Sequence, residues 1–137
     1  MKILLPIVQS EYAEKNLDRV CDLARKLDAE LTLLHVVAMS TAIAAEAYVD
    51  PEPFLETGGK FLNETKSKVE QMGIKVSTHL ELSYGNPAHA IVEYAKKGSF
   101  DLIALGAKGQ SKIRNLLLGS DADTVARNAS CSVLIVR

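Results

Sequence analysis

Five short apolar runs separated by four amphipathic stretches extend along this chain, and that rhythm admits few folds. Ile3 to Val8, Leu31 to Val37, Ile74 to Leu82, Leu102 to Leu105 and Val133 to Val136 read as strands. Between the first two, Glu11 to Leu27 sets Leu17, Val20, Cys21, Ala24 and Leu27 on one helical face. Phe54 to Met72 reads as a second helix ending near Gly73. Pro87, after Tyr84-Gly-Asn, opens a third that runs to Lys97 and stops at Gly98, and Asp121 to Asn128 forms a fourth. Strands alternating with helices pair in parallel through right-handed crossovers, which cover both faces of the sheet. The expected architecture is therefore α/β: one domain, an open twisted five-stranded parallel sheet with helices on both faces. The Ile74 to Leu82 run alternates more than the others, the pattern of a strand near a sheet edge. The connection from Ala38 to Pro53 has no strong pattern. Segments of this length are often lids, binding loops or disordered, and its Ala-rich stretch Thr41 to Tyr48 suits a helical turn or two.

Composition narrows the function. A chain of 137 residues can bury one genuine core. Its 16 basic and 17 acidic side chains nearly cancel, so no global field draws it to nucleic acid and any anion site must be local. No apolar run approaches the roughly 20 residues needed to span a bilayer, and Met1 to Pro6 is too short for a signal peptide, which points to the cytosol. Cys21 and Cys131 lack metal-ligand spacing and read as reduced thiols.

The chemistry concentrates where the fourth strand leaves the sheet and the fourth helix begins. Gly106 and Gly109 follow the apolar run, and Gly119 and Ser120 precede the helix. Glycine lets backbone N–H groups approach an anion closely, and a helix N-terminus presents unpaired N–H groups with a partial positive charge. Phosphate is the obvious ligand. Lys108, Lys112 and Arg114 make the intervening loop basic, though each serves equally as a solvated surface charge.

The spacing Gly-x2-Gly-x9-Gly-Ser resembles the nucleotide-binding signature of the universal stress protein family, in its ATP-binding branch. The opening Ile3 to Ser10 is similar to that family's first strand and turn, and Cys131 to Arg137 to its last strand, so the likeness spans residues 1–137. The resemblance implies an adenine nucleotide alpha hydrolase-like sheet of order 3-2-1-4-5, with the order reversing between strands one and four. Ligands of such sheets collect at that point, at the strands' carboxyl ends. Val8 to Ser10 and Gly106 to Gly109 would then face each other across one crevice. Pro6, Ile7, Val36, Val37 and Leu105 would line an apolar slot for the base, with Val8 beside the nucleotide at the end of the first strand. Gly106, Lys108, Gly109, Gly119, Ser120, Asp121 and Ala122 would surround the phosphates.

The resemblance thus implies a cytosolic stress-response protein that binds ATP, with or without Mg2+, as a nucleotide-dependent regulatory module with an unknown protein partner. Homodimers formed through the last strand, Val133 to Val136, are also implied. Neither a membrane nor a nucleic acid is an expected partner. Two departures favour an alternative, a dimeric interaction or scaffold protein with a degenerate site. Val8 stands where the family usually has an aspartate, and Asp121 where it usually has a small apolar residue. Asp121 also has a plain role as a helix-dipole partner, and Ser120 as an N-cap with Asp123 three residues on.

Enzymatic signatures are thin. There is no Walker A sequence, dinucleotide fingerprint or nucleophile elbow, and no catalytic base stands near the glycines, so at most slow ATP hydrolysis is expected. His35 reads as a satisfied core residue, with His79 on an edge strand and His89 in a helix's first turns.

Overall fold

The computed structural model describes residues 1–39, 49–107 and 118–137. Nine elements alternate along them: β1 (Lys2–Pro6), α1 (Ala13–Lys26), β2 (Glu30–Ala38), α2 (Glu52–Gln71), β3 (Val76–Ser83), α3 (Pro87–Lys97), β4 (Leu102–Gly106), α4 (Ser120–Asn128) and β5 (Ser132–Val136). The five strands form one parallel sheet of order β3-β2-β1-β4-β5. The architecture and strand order expected from sequence are both realised, with β3 at one edge. The helical turn expected within Thr41 to Tyr48 lies outside the described residues.

Side-chain parity divides the interior into two layers. On one face Ile3, Leu5, Leu31 and Leu33 meet Leu17, Val20, Cys21 and Ala24 of α1, with Leu62 and Val69 of α2. Those α1 positions recur at three- and four-residue intervals, which keeps them on one stripe. On the other face Leu4, Leu34, Ile103 and Leu105 meet Ala88, Ile91 and Ala95 of α3 and Ala122 and Val125 of α4. β1 and β4, at the centre, are covered on both sides, which is why their sequences are continuously apolar.

The helix ends show where local chemistry differs from the simplest expectation. Asn86 caps α3: its side chain accepts a hydrogen bond from the Ala88 N–H at 3.0 Å, and Pro87 occupies the position that needs no donor. Gly98 closes α3 as expected, but Ser99 takes the left-handed conformation, at φ 53°. Gly98 is needed for space instead, because a Cβ there would collide with the Phe100 ring. After α2, Gly73 does adopt positive φ, at 76°.

α4 begins at Ser120, with Gly119 as its N-cap in extended backbone, so Ser120 is not the cap. The reason lies in the backbone. The Gly119 N–H donates to the Ala107 carbonyl at 2.9 Å, and the Asp123 N–H donates to the Gly119 carbonyl at 2.9 Å, which starts the helix one residue early. Asp123 does not reach back to complete a capping box; its carboxylate accepts from Arg127 Nε at 3.1 Å.

Candidate functional site

The strands of this sheet do not end together, and their uneven ends create a cleft. β1 pairs with β2 as far as Pro6 opposite Leu34, whereas β2 continues beside β3 to Ala38. β4 stops at Gly106, and the Ala107 N–H donates to the Val136 carbonyl at 2.8 Å. Between these ends lies a cleft of about 590 Å³, within the range of small-molecule sites.

Ten of the residues picked from sequence line this one cleft: Pro6, Ile7, Val8, Val36, Leu105, Gly106, Gly119, Ser120, Asp121 and Ala122. Val37 does not. Its position in β2 turns it to the opposite side of the sheet from Val36, where it is buried against Gly58 of α2. Lys108 and Gly109, with Lys112 and Arg114, lie outside the described residues.

The cleft wall also holds residues that motif reasoning passed over. Ala13 and Asn16 enter from the first turns of α1, Pro87 and Ile91 from α3, and His35 from β2. The sequence signal for the first four was topological. In a parallel sheet each helix starts above the carboxyl end of the strand before it, so helices flanking the switch point direct their first turns at it.

Electrostatics follow from the same arrangement. The N-terminal ends of α1, α3 and α4 all border the cleft, and each carries a partial positive charge of about half a unit. They are not equivalent as donors. At α3 the Asn86 side chain already occupies the Ala88 N–H. At α4 no side chain caps the first turn, and the first intrahelical bond from its N-terminus is donated by Asp123. The N–H groups of Ser120, Asp121 and Ala122 therefore have no acceptor within the helix. They border the cleft at the start of α4. Asp121, exposed on the same turn, sets a carboxylate beside those donors.

The opposite wall is mainly apolar. Pro6, Ile7, Val36 and Leu105 supply it, and Val8 is 41% exposed at the mouth. β2 presents one unpaired stretch of main chain here. In a parallel ladder the residue whose carbonyl accepts from Ile7 is Leu34, at 2.8 Å, so the next groups directed at β1 belong to Val36. Its N–H meets no β1 carbonyl among the described residues, and the Ile7 carbonyl accepts from His35 Nδ1 at 2.9 Å. His35 is thus satisfied, as its sequence setting suggested, and it also borders the cleft.

A model of the universal stress protein family matches residues 1–137. The chain belongs to the universal stress protein family. Universal stress protein YxiE of Bacillus subtilis is 34% identical over 148 residues, covering 99% of this chain and 98% of that one. Among solved structures, that of hypothetical protein MJ0577 is 29% identical and superposes with a TM-score of 0.84, covering 98% of this chain and 94% of that one. A universal stress protein from Archaeoglobus fulgidus, solved in complex with dAMP, shares the fold at 22% identity, with a TM-score of 0.75 over 100% of this chain and 98% of its own.

Among the described residues no group of three or more His, Cys, Asp or Glu side chains is arranged to hold a metal ion. No helix among them is long and apolar enough to cross a membrane.

Proposed function

We propose that this universal stress protein binds an adenine nucleotide, ATP with or without Mg2+, in the cleft and acts in the cytosol as a nucleotide-dependent regulatory module with little or no hydrolysis. The observation that carries the reading is the pairing of two kinds of free backbone across one cleft. Unpaired N–H groups of Ser120, Asp121 and Ala122 suit phosphate oxygens, and the open Val36 main chain, flanked by Pro6, Ile7 and Leu105, suits the edge and faces of a planar base. The dAMP complex of the Archaeoglobus fulgidus protein supports the ligand class. Gly106 and Gly119 add no side chain at the phosphate end, and Lys108 and Gly109 lie between them in sequence. Nucleotide occupancy would alter the surface offered to a partner protein.

Asp121 and Val8 favour a second reading, in which the site is degenerate and the protein works as a dimeric interaction scaffold. The Asp121 carboxylate borders the donors a phosphate would use, and Val8 offers the cleft mouth no polar group. Calorimetric titration of ATP with magnesium into the nucleotide-free protein, beside an Asp121→Val variant, separates the two. Micromolar binding that tightens in the variant supports the nucleotide module. Absence of binding by both proteins leaves the scaffold reading.

A further inference from the structure

We infer that His35 is a positioning residue that holds the base end of the cleft open: by donating to the Ile7 carbonyl through Nδ1, it keeps the Val36 N–H available to a ligand. The inference rests on the nucleotide-binding reading for the ligand, but its structural half stands in the empty protein.

The ladder between β1 and β2 has a regular continuation that the structure does not take. Leu34 accepts from the Ile7 N–H at 2.8 Å, so the next bond of a parallel ladder would run from the Val36 N–H to the Ile7 carbonyl. That bond is missing, and the carbonyl meets the imidazole at 2.9 Å. A carbonyl only accepts, so Nδ1 carries the proton and the ring is held in one tautomer. The ring is kept in place from the other side. It meets Phe61 of α2 edge-on, with centroids 5.1 Å apart, and Gly58 lets α2 approach closely enough for that contact. No charged side chain is paired with the ring among the described residues.

The consequence is local and chemical. Were the ladder to close by one more bond, the Val36 N–H would be taken up by β1 and the cleft would lose its main-chain donor. With His35 satisfying Ile7, the open N–H remains at the cleft wall beside Pro6 and Leu105, where a planar ring with an acceptor nitrogen at its edge can use it. A side chain therefore does what the backbone would do elsewhere, and the strand end becomes a binding edge.

Three variants test this. His35→Phe and His35→Leu remove the donor at different sizes, while His35→Asn keeps an N–H donor near the position of the imidazole Nδ1. Amide exchange at Val36, followed by NMR in the nucleotide-free proteins, is the first readout. Fast exchange in the natural protein and in His35→Asn, slowed about tenfold or more in either donor-less variant, is expected if the freed Ile7 carbonyl captures the Val36 N–H. Titration with ATP and with inorganic triphosphate is the second. The donor-less variants should lose about tenfold in ATP affinity, keep their triphosphate affinity, and be rescued by Asn. Equal Val36 exchange in all four folded proteins overturns the inference, as does undiminished ATP affinity in the donor-less pair. Should the natural protein bind no ATP, the nucleotide reading fails by itself and the exchange comparison still decides the role of His35.

Discussion

Two adjacent glycines in α2 make a stringent test of how this helix sits on the sheet. A Cβ at Gly58 would come within 2.9 Å of Val37 Cγ2, 3.1 Å of His35 Cδ2 and 3.3 Å of Leu80 Cδ1. Among the described residues, a Cβ at Gly59 would meet only Leu80 Cδ2, at an ordinary 4.0 Å. In a helix interior, replacing glycine by alanine gains about 0.8–1 kcal/mol of intrinsic propensity, and both sites share that gain. Gly58→Ala must also force a methyl into a filled space. Neither neighbour can yield easily: Val37 is buried and stiff at χ1, and the His35 ring is held by the Ile7 carbonyl and by Phe61. Overpacking of this kind costs about 1–3 kcal/mol. Gly59→Ala should therefore stabilise by up to about 1 kcal/mol, and Gly58→Ala should be roughly neutral to 2 kcal/mol less stable than the natural protein. The gap between the variants, about 1–3 kcal/mol, is the quantity to measure. Urea unfolding followed by far-UV circular dichroism gives it directly as a shift in midpoint at constant slope. Equal stabilisation by both alanines would refute the close approach of α2 to β2.

Two further predictions rest on other parts of the fold. Burial pushes the Cys21 thiol from its ordinary 9.0 up to about 11, with Asp18 adding to the effect and Arg25 offsetting part of it. Because the unfolded chain ionises first, stability should hold below pH 9 and then fall by about 2–3 kcal/mol as pH rises through 11; Tyr94 acts in the same direction, so the check is a shallower decline in Cys21→Ala by denaturant titration. β5 is a sheet edge of apolar residues, with Leu134 36% exposed beside Leu23, Arg19 and Lys26 of α1, so the proposed homodimer should sediment as a dimer at micromolar concentration and as a monomer after Leu134→Lys. A monomeric natural protein would remove this edge as its interface.

The fold was readable because apolar periodicity reports burial, and burial is what the layered sheet imposes. Leu17, Val20, Cys21 and Ala24 face the core as their spacing requires, whereas Leu27, expected on the same face, ends α1 as its C-cap and is 45% exposed; Pro87 opens α3 where its missing N–H costs nothing. Periodicity says less about which backbone group pairs with which. The apolar run of β1 continues to Val8, but its last main-chain bond to β2 is the Ile7 N–H to Leu34, and the Ile7 carbonyl accepts from His35 instead. Val37 looked like a lining residue by proximity to Val36, yet a strand alternates its faces and sends it into the core. Ser120 looked like a cap by residue type, yet a main-chain bond from Gly119 to Ala107 set the start of the helix. In each case a long-range hydrogen bond or the pleat overrode a local preference.

On the proposed nucleotide reading, those same bonds would let the site tolerate the two departures from the family pattern. The donors at α4 exist because Gly119 is fixed to Ala107 and the first helical turn is left uncapped, and the open edge at Val36 exists because Ile7 is already satisfied. Both features are main-chain geometry, and neither depends on the side chain at position 8 or 121. Asp121 contributes about 0.3–1 kcal/mol to an empty helix by facing its dipole, a gain opposed by repulsion once a phosphate arrives. The carboxylate therefore penalises occupancy without dismantling the donors. This predicts the direction of the Asp121→Val test: neutralising the side chain should tighten binding to a site already formed by the backbone, since it removes a competing charge and leaves every donor where it was.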